Sequence, residues 1–295
     1  MSLINQFYTL SDGFKLPKLG FGTFNEQFVQ YQEKYNEAIE CGYRFFDTAS
    51  LYESERPLGA ALKDCGLPRE EFIIESKLWY DEMGYDGAKR ALERSLKRLG
   101  TDYLDLYLIH WPRQTGAFDE DWKELDRQTW RALEEMVEEG TVKHLGTSNF
   151  LPHHLEALLP HCNIKPVVNQ LELHPGYSQE AAVAYCHEKK IQPIAYCPLA
   201  RQHPLCIAED GILAYLAKQY GKSIQQIMLR FLIQKGILPI PGADRKEYML
   251  ANMDIFDFDL TAEELSILSC MPQNTWLGEH PDFSIPDRKT NQDDI

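Results

Sequence analysis

A chain of 295 residues, 44% hydrophobic and 25% charged, is long enough to bury one large core and too apolar to be mainly disordered. Its 45 acidic side chains outnumber 30 basic ones, and the formal charge of -15 repels nucleic acid and anionic lipid, so neither is an expected partner. The start, Met1-Ser2-Leu3-Ile4-Asn5-Gln6, has no basic stretch leading into an apolar segment, and no run reaches transmembrane length; a cytoplasmic protein is expected. Seven cysteines are scattered without Cys-x-x-Cys or metal-ligand spacing and read as reduced thiols, small fillers of core or surface.

Along the chain, Tyr8 to Leu16 reads as a hairpin with a tight Asp12-Gly13 turn, placed to plug the lower end of whatever follows. From about Lys18, short β-rich apolar runs alternate eight times with segments of helical period. The predicted strands are Leu19 to Gly22, Arg44 to Thr48, Phe72 to Lys77, Leu104 to His110, His144 to Ser148, Val167 to Leu171, Pro193 to Tyr196 and Leu238 to Ile240. Predicted helices include Trp122 to Glu139 and Asp86 to Leu99. In the latter, Ala88, Ala91, Leu92, Ser95, Leu96 and Leu99 line one face and Lys89, Arg90, Glu93, Arg94 and Lys97 the other.

Strands apolar nearly throughout suit a parallel sheet covered on both sides. Thr261 with Glu264 three residues on signals a last helix, followed by a polar, Pro-rich loop near the active face. The expectation is an α/β fold, a (β/α)8 TIM barrel with an N-terminal β-hairpin and a C-terminal helix and loop, in one domain over residues 1–295.

In such a barrel the chemistry sits at the C-terminal ends of the strands. There the sequence offers Asp47 and Tyr52 after strand 2, Lys77 at the end of strand 3 and His110 at the end of strand 4. A buried Asp and Lys must pair to avoid the cost of isolated charge, and a plain ion pair would explain those two. It leaves Tyr52 and His110 unexplained. A phenol of pKa ~10 becomes a usable acid when an ammonium stabilises its anion. Lys77 supplies that field, Asp47 orients Lys77, and His110 donates to a carbonyl oxygen. With no partnered nucleophile and no metal cluster, a bound cofactor has to provide the reducing hydride.

These segments resemble the aldo-keto reductase family over essentially the whole chain: Gly42-Tyr43-Arg44-Phe45-Phe46-Asp47-Thr48-Ala49 with Tyr52, Ser76-Lys77-Leu78-Trp79, and Leu108-Ile109-His110-Trp111-Pro112. The resemblance implies reduction of an aldehyde or ketone to the alcohol with NAD(P)H, Tyr52 being the general acid supported by Asp47, Lys77 and His110. It also implies cofactor contacts. Ser148, Asn149 and Gln170 would hold the nicotinamide carboxamide, Tyr196 would stack on the ring, and Gly22, Thr23, Asp47, Pro198, Leu199, Ile240 and Asn252 would complete the groove.

Many family members carry Ile-Pro-Lys-Ser after strand 8, and an Arg followed four residues later by Asn. This chain has Ile240-Pro241-Gly242-Ala243-Asp244-Arg245-Lys246, with Tyr248 in the Arg place and Asn252 retained. Gly242 and Ala243 cannot grip a 2′-phosphate with side chains; Arg245 and Lys246, at a short helix N-terminus, are the alternative. NADP(H) is favoured and NAD(H) stays open.

Phe24, Trp79, Trp111 and Trp276 are candidate walls of a substrate pocket suited to an uncharged carbonyl compound, with core packing the alternative for each. Gly20-Phe21-Gly22 lacks the third glycine of a dinucleotide fingerprint, its place taken by Asn25. His153-His154 and His174-Pro175 read as solvated or capping, Glu134-Glu135 with Glu138-Glu139 as a solvated face, and no metal is assigned. The rival reading is a nicotinamide-nucleotide-binding auxiliary or sensor protein with little turnover. A barrel isomerase or metal-dependent hydrolase is a third. Oligomeric state, natural carbonyl and physiological direction are not encoded in these motifs.

Overall fold

The computed structural model describes residues 6–24, 31–112, 122–282 and Thr290; Asn25 lies outside them. The chain opens with an antiparallel pair, β1 (Phe7–Thr9) and β2 (Lys15–Pro17), joined through Asp12-Gly13. Gly13 sits at φ 90°, and Asp12 Oδ1 accepts from the Phe14 amide at 3.0 Å, which closes the turn as expected. Leu10 and Leu16 enter the interior cluster of Phe45, Leu106, Ile194 and Leu238, so the hairpin plugs one end of the larger sheet.

That sheet has eight parallel strands in chain order: β3 (Phe21–Gly22), β4 (Phe45–Asp47), β5 (Ile73–Leu78), β6 (Leu104–Ile109), β7 (Val142–Ser148), β8 (Val168–Glu172), β9 (Gln192–Tyr196) and β10 (Leu238–Pro239). The last meets the first through Gly20 N–H to the Pro239 carbonyl at 3.1 Å and Gly22 N–H to the Pro241 carbonyl at 3.3 Å. The sheet is thereby a barrel. Both outer strands are shorter than their sequences suggest because Pro239 and Pro241 have no N–H to return. The seam is also tight: a Cβ on Gly22 would lie 2.5 Å from the Ile240 carbonyl oxygen.

Helices cover the outside. In Tyr85–Leu99, Ala88, Ala91, Leu92, Ser95 and Leu99 are buried, and Gly100 at φ 65° ends the helix. Arg94 departs from the expected solvent face and turns inward to buried Glu82 at 2.8 Å. Helix Trp122–Glu138 shows a similar departure. Glu134 is buried and accepts from the Asn163 and Ile164 amides at 2.6 and 2.8 Å, fastening the next turn, so only part of that acidic cluster is solvated. Thr261 and Glu264 cap helix Ala262–Ser269 reciprocally. All seven cysteines are free, and no helix among the described residues is long and apolar enough to cross a membrane.

Period-two alternation sends every second strand residue into the barrel. The inward rows read Phe45-x-Asp47, Ile73-x-Glu75-x-Lys77, Leu106-x-Leu108-x-His110, Val168-x-Gln170-x-Glu172 and Ile194-x-Tyr196. Each is apolar toward the hairpin plug and polar toward the C-terminal end, so the polar groups gather at the mouth. Gly22→Ala should destabilise the protein by about 1–3 kcal/mol, since the clash is with backbone that cannot rotate away; a chemical denaturation curve checks this.

Candidate active site

The mouth is organised around one ion pair. Lys77 and Asp47 are both buried, and the Lys77 ammonium donates to Asp47 Oδ1 and to the Thr48 carbonyl, the latter at 3.0 Å. Burial by itself would depress the Lys77 pKa; the negative field of Asp47 outweighs it and holds the amine charged. The ammonium lies 4.9 Å from the Tyr52 ring centroid.

Tyr52 follows β4 on a turn closed by its amide to the Ala49 carbonyl at 3.0 Å. Its hydroxyl stands 3.1 Å from His110 Nε2. Burial raises the phenol above its ordinary value, and the attraction of Lys77 offsets only part of that. The sequence leads one to expect the ammonium to prevail. In the folded chain desolvation prevails, so the phenol is held as a neutral acid.

His110 is pushed well below the usual imidazole range, first by burial and then by Lys77, and is neutral. Its Nδ1 has no partner among the described residues, whereas Nε2 faces Tyr52, so a proton on Nε2 has an acceptor to meet. Aromatic rings flank the pair. Phe24 lies 4.7 Å from Tyr52, and Trp79 packs edge-on to His110 at 4.7 Å. Trp79 is held from behind, where buried Glu82 accepts from its amide at 3.0 Å. Trp111 is also buried beside His110.

On the other side of the mouth the expected cofactor residues form one connected chain. Gln170 Nε2 donates to Asp47 Oδ1 at 2.9 Å. Ser148 Oγ donates to the Gln170 carbonyl at 3.0 Å, Asn149 Nδ2 donates to the His110 carbonyl at 2.9 Å, and the Tyr196 hydroxyl donates to Asn149 Oδ1 at 2.9 Å. Asn149 adopts φ 62°, a left-handed conformation that Asn tolerates well, where the chain leaves β7. Thr23 joins through its amide to the Asp47 carbonyl at 3.0 Å. Gly22, Ile240 and Gly242 meet at the barrel seam, where a Cβ on Gly22 would also come within 3.7 Å of the Gly242 amide nitrogen.

Toward the periphery, Pro198 and Ala243 are buried and Leu199 partly so. Arg245 is 62% exposed at the start of helix Lys246–Met253, with its guanidinium 5.6 Å from the Tyr248 ring centroid. Lys246 instead pairs with Glu40 at 2.8 Å, and Asn252 is buried against Tyr43. Both basic candidates are exposed and paired, Arg245 loosely with Glu247 at 3.7 Å and Lys246 more closely with Glu40 on another helix.

Two residues carry no signal in the sequence motifs. Glu75 is fully buried two positions before Lys77, and Gln170 Nε2 donates to its Oε1 at 2.5 Å. Glu172 is buried two positions after Gln170 and accepts from His174 at 3.2 Å and from the Leu277 and Gly278 amides at 2.7 and 3.0 Å. Counting by twos from Lys77 or Gln170 places both carboxyls on the inward face. His174 is thus not solvated. Burial alone would lower its pKa, but contacts with Cys206, Glu172 and the Pro175 carbonyl raise it to about 9.

The Glu172 anchor brings the C-terminal segment over the mouth, with Gly278 between the Tyr196 hydroxyl and the Trp276 indole. Trp276 stays 43% exposed and packs edge-on to His280. Elsewhere, His153, His154 and Asp282 converge, with His153 Nε2 2.8 Å from Asp282 Oδ1. His154 Nδ1 accepts from the Leu151 amide at 3.1 Å, which puts its proton on Nε2, the atom facing Asp282. That histidine is a helix cap whose second nitrogen donates.

The Aldo/keto reductase family model matches residues 18–270. The chain is 38% identical over 274 residues to the glyoxal reductase of Bacillus subtilis (strain 168), covering 92% of this chain and 95% of that protein. An aldo-keto reductase structure from a Medee basin deep-sea metagenome library superposes with TM-score 0.87 at 35% identity, covering 95% of this chain and all of the other. A Bombyx mori aldo-keto reductase in complex with NADP superposes with TM-score 0.81 at 34% identity, covering 89% and 91% of the two chains.

Breaking the central pair from one side should be costly. Lys77→Met leaves Asp47 buried without its cation and should lower stability by about 3–5 kcal/mol, much of it restored by adding Asp47→Leu. Denaturant unfolding of the single and double variants measures both.

Proposed function

The chain belongs to the aldo/keto reductase family and is an oxidoreductase that reduces carbonyl groups with a nicotinamide cofactor; from that premise we propose that Tyr52 is its proton donor, with Lys77, Asp47 and His110 in support. The observation that carries the reading is the 3.1 Å approach of the Tyr52 hydroxyl and His110 Nε2, each backed by the buried Lys77–Asp47 pair. Two donors that close can both reach one carbonyl oxygen. Neutral His110 polarises it by a hydrogen bond. As negative charge grows on that oxygen, the Tyr52 O–H bond breaks toward it, and the Lys77 ammonium stabilises the phenolate left behind.

The cofactor supplies the hydride when bound. Ser148, Asn149 and Gln170 would hold its carboxamide, and their donor set fits: a hydroxyl and two amides, all buried, at the end of β7 and within β8. Tyr196, held by Asn149, would present its ring to the nicotinamide. Gly22, Thr23, Ile240, Gly242 and Ala243 would line the groove, with Pro198, Leu199 and Asn252 supporting its walls.

For the phosphate, exposed Arg245 is the residue best disposed, and the reading favours NADP(H) over NAD(H). Phe24, Trp79 and Trp111 beside the two donors favour a small uncharged aldehyde or ketone. Since a relative is a glyoxal reductase, a compact dicarbonyl such as glyoxal is the first substrate to assay.

Tyr52→Phe should cut turnover by about 10²–10⁴-fold while cofactor affinity, read by fluorescence titration, stays unchanged; near wild-type turnover would refute the assignment. Titration with NADPH and NADH separately should favour NADPH. Arg245→Ala should weaken NADPH by about 10-fold or more, the loss expected for a charge-assisted hydrogen bond, with NADH unaffected; equal effects on the two would point to NAD(H).

A further inference from the structure

Lys77 faces two carboxyls. Asp47 and Glu75 are register partners on β4 and β5, both buried, and the Gln170 amide nitrogen donates to one oxygen of each. The Lys77 ammonium donates to Asp47 Oδ1 and stands 4.0 Å from Glu75 Oε1. Glu75 Oε2 is buried and has no partner among the described residues.

The groups around Glu75 are few. β4 presents Asp47, β5 itself presents Lys77 with Tyr52 beyond it, β6 presents apolar Leu106 and ends on neutral His110, and β8 presents Gln170. With both carboxyls ionised, one cation would face two anions inside a barrel walled by Phe45, Leu106 and Leu108, with one carboxylate oxygen bare. An uncompensated charge there is costly, and a neutral acid removes it. Burial first, and the neighbouring Asp47 second, push Glu75 well above the usual carboxylate range, and Lys77 offsets only part of that.

We propose that Glu75 is a positioning residue for the reduction, a neutral carboxyl that holds the Gln170 amide through Oε1 and leaves Lys77 paired with Asp47 alone, so that the ammonium's remaining field falls on Tyr52. This rests on Tyr52 being the proton donor. The consequence has a definite sign. When Glu75 loses its proton, a second negative charge stands 4.0 Å from the ammonium, the phenolate of Tyr52 is less well stabilised, and reduction slows. Activity is therefore full while Glu75 is protonated and is lost as pH rises through its elevated pKa. Stability follows the same direction, because the unfolded carboxyl releases its proton near pH ~4.3 while the folded one keeps it.

The test is the pH profile of kcat/KM for aldehyde reduction in wild type, Glu75→Gln and Tyr52→Phe. The Gln amide keeps an acceptor for Gln170 and cannot ionise. Wild type should show an alkaline fall that is absent from Glu75→Gln, whose stability should also lose the decline with pH above the ordinary carboxylate range. Superimposable profiles for wild type and Glu75→Gln would overturn the proposal, whatever the absolute rate. Tyr52→Phe separates the two ideas: an inactive Tyr52→Phe protein with superimposable Glu75 profiles leaves the proton donor standing and removes Glu75. Infrared spectroscopy of the wild-type protein at neutral pH should show a protonated-carboxyl band, and its absence would overturn the proposal even if the variant failed to fold.

Discussion

The buried Lys77–Asp47 pair is the constraint on which the mouth of this barrel depends. Two ions taken out of water repay their desolvation only with close geometry and further hydrogen bonds. The chain provides both: Thr48 takes a second bond from the ammonium, and Gln170 gives one to the carboxylate. Those bonds tie β4, β5 and β8 together at one level, and so place the loop that carries Tyr52 and the strand end that carries His110.

Gln170 makes this pair more than a local contact. Its amide touches the charged side of the site, and its backbone carbonyl takes bonds from Ser148 and Asn149, the residues proposed to hold the nicotinamide carboxamide. The groups proposed to position the proton and those proposed to position the cofactor thus share one hydrogen-bonded framework. A disturbance of one side has a short path to the other, through bonds that have few alternative geometries in a packed interior.

A second buried acidic residue, Glu172, does for the C-terminal segment what Asp47 does for Lys77. Held beside a charged His174, it binds two successive backbone amides of the segment carrying Trp276 and Leu277. The polar loop after the last helix is docked by its main chain at that point, while the Trp276 ring remains half exposed at the mouth.

Much of this was legible in the sequence because barrel strands are short, apolar and regularly spaced, and because strand ends carry the ionisable residues. The eight strands, the hairpin plug and the capping box of Thr261 follow from periodicity and turn chemistry, which are local. The burial of Glu134, the inward turn of Arg94 and the pairing of Lys246 with Glu40 do not, since each depends on a partner from a distant stretch of chain. The direction of the Tyr52 shift is the clearest case. Sequence supplies the ammonium that lowers the phenol's pKa, but burial, which opposes it and wins, belongs to the folded environment.

By itself, then, the sequence determined the barrel and the identities of Tyr52, Asp47, Lys77 and His110, because hydrophobic period and residue type are written along the chain. Only the tertiary structure decided that Glu75 stands in the same charge cluster and that Glu172 anchors the C-terminal segment. Electrostatics at the mouth depends on distance and desolvation, and neither exists until the strands have closed.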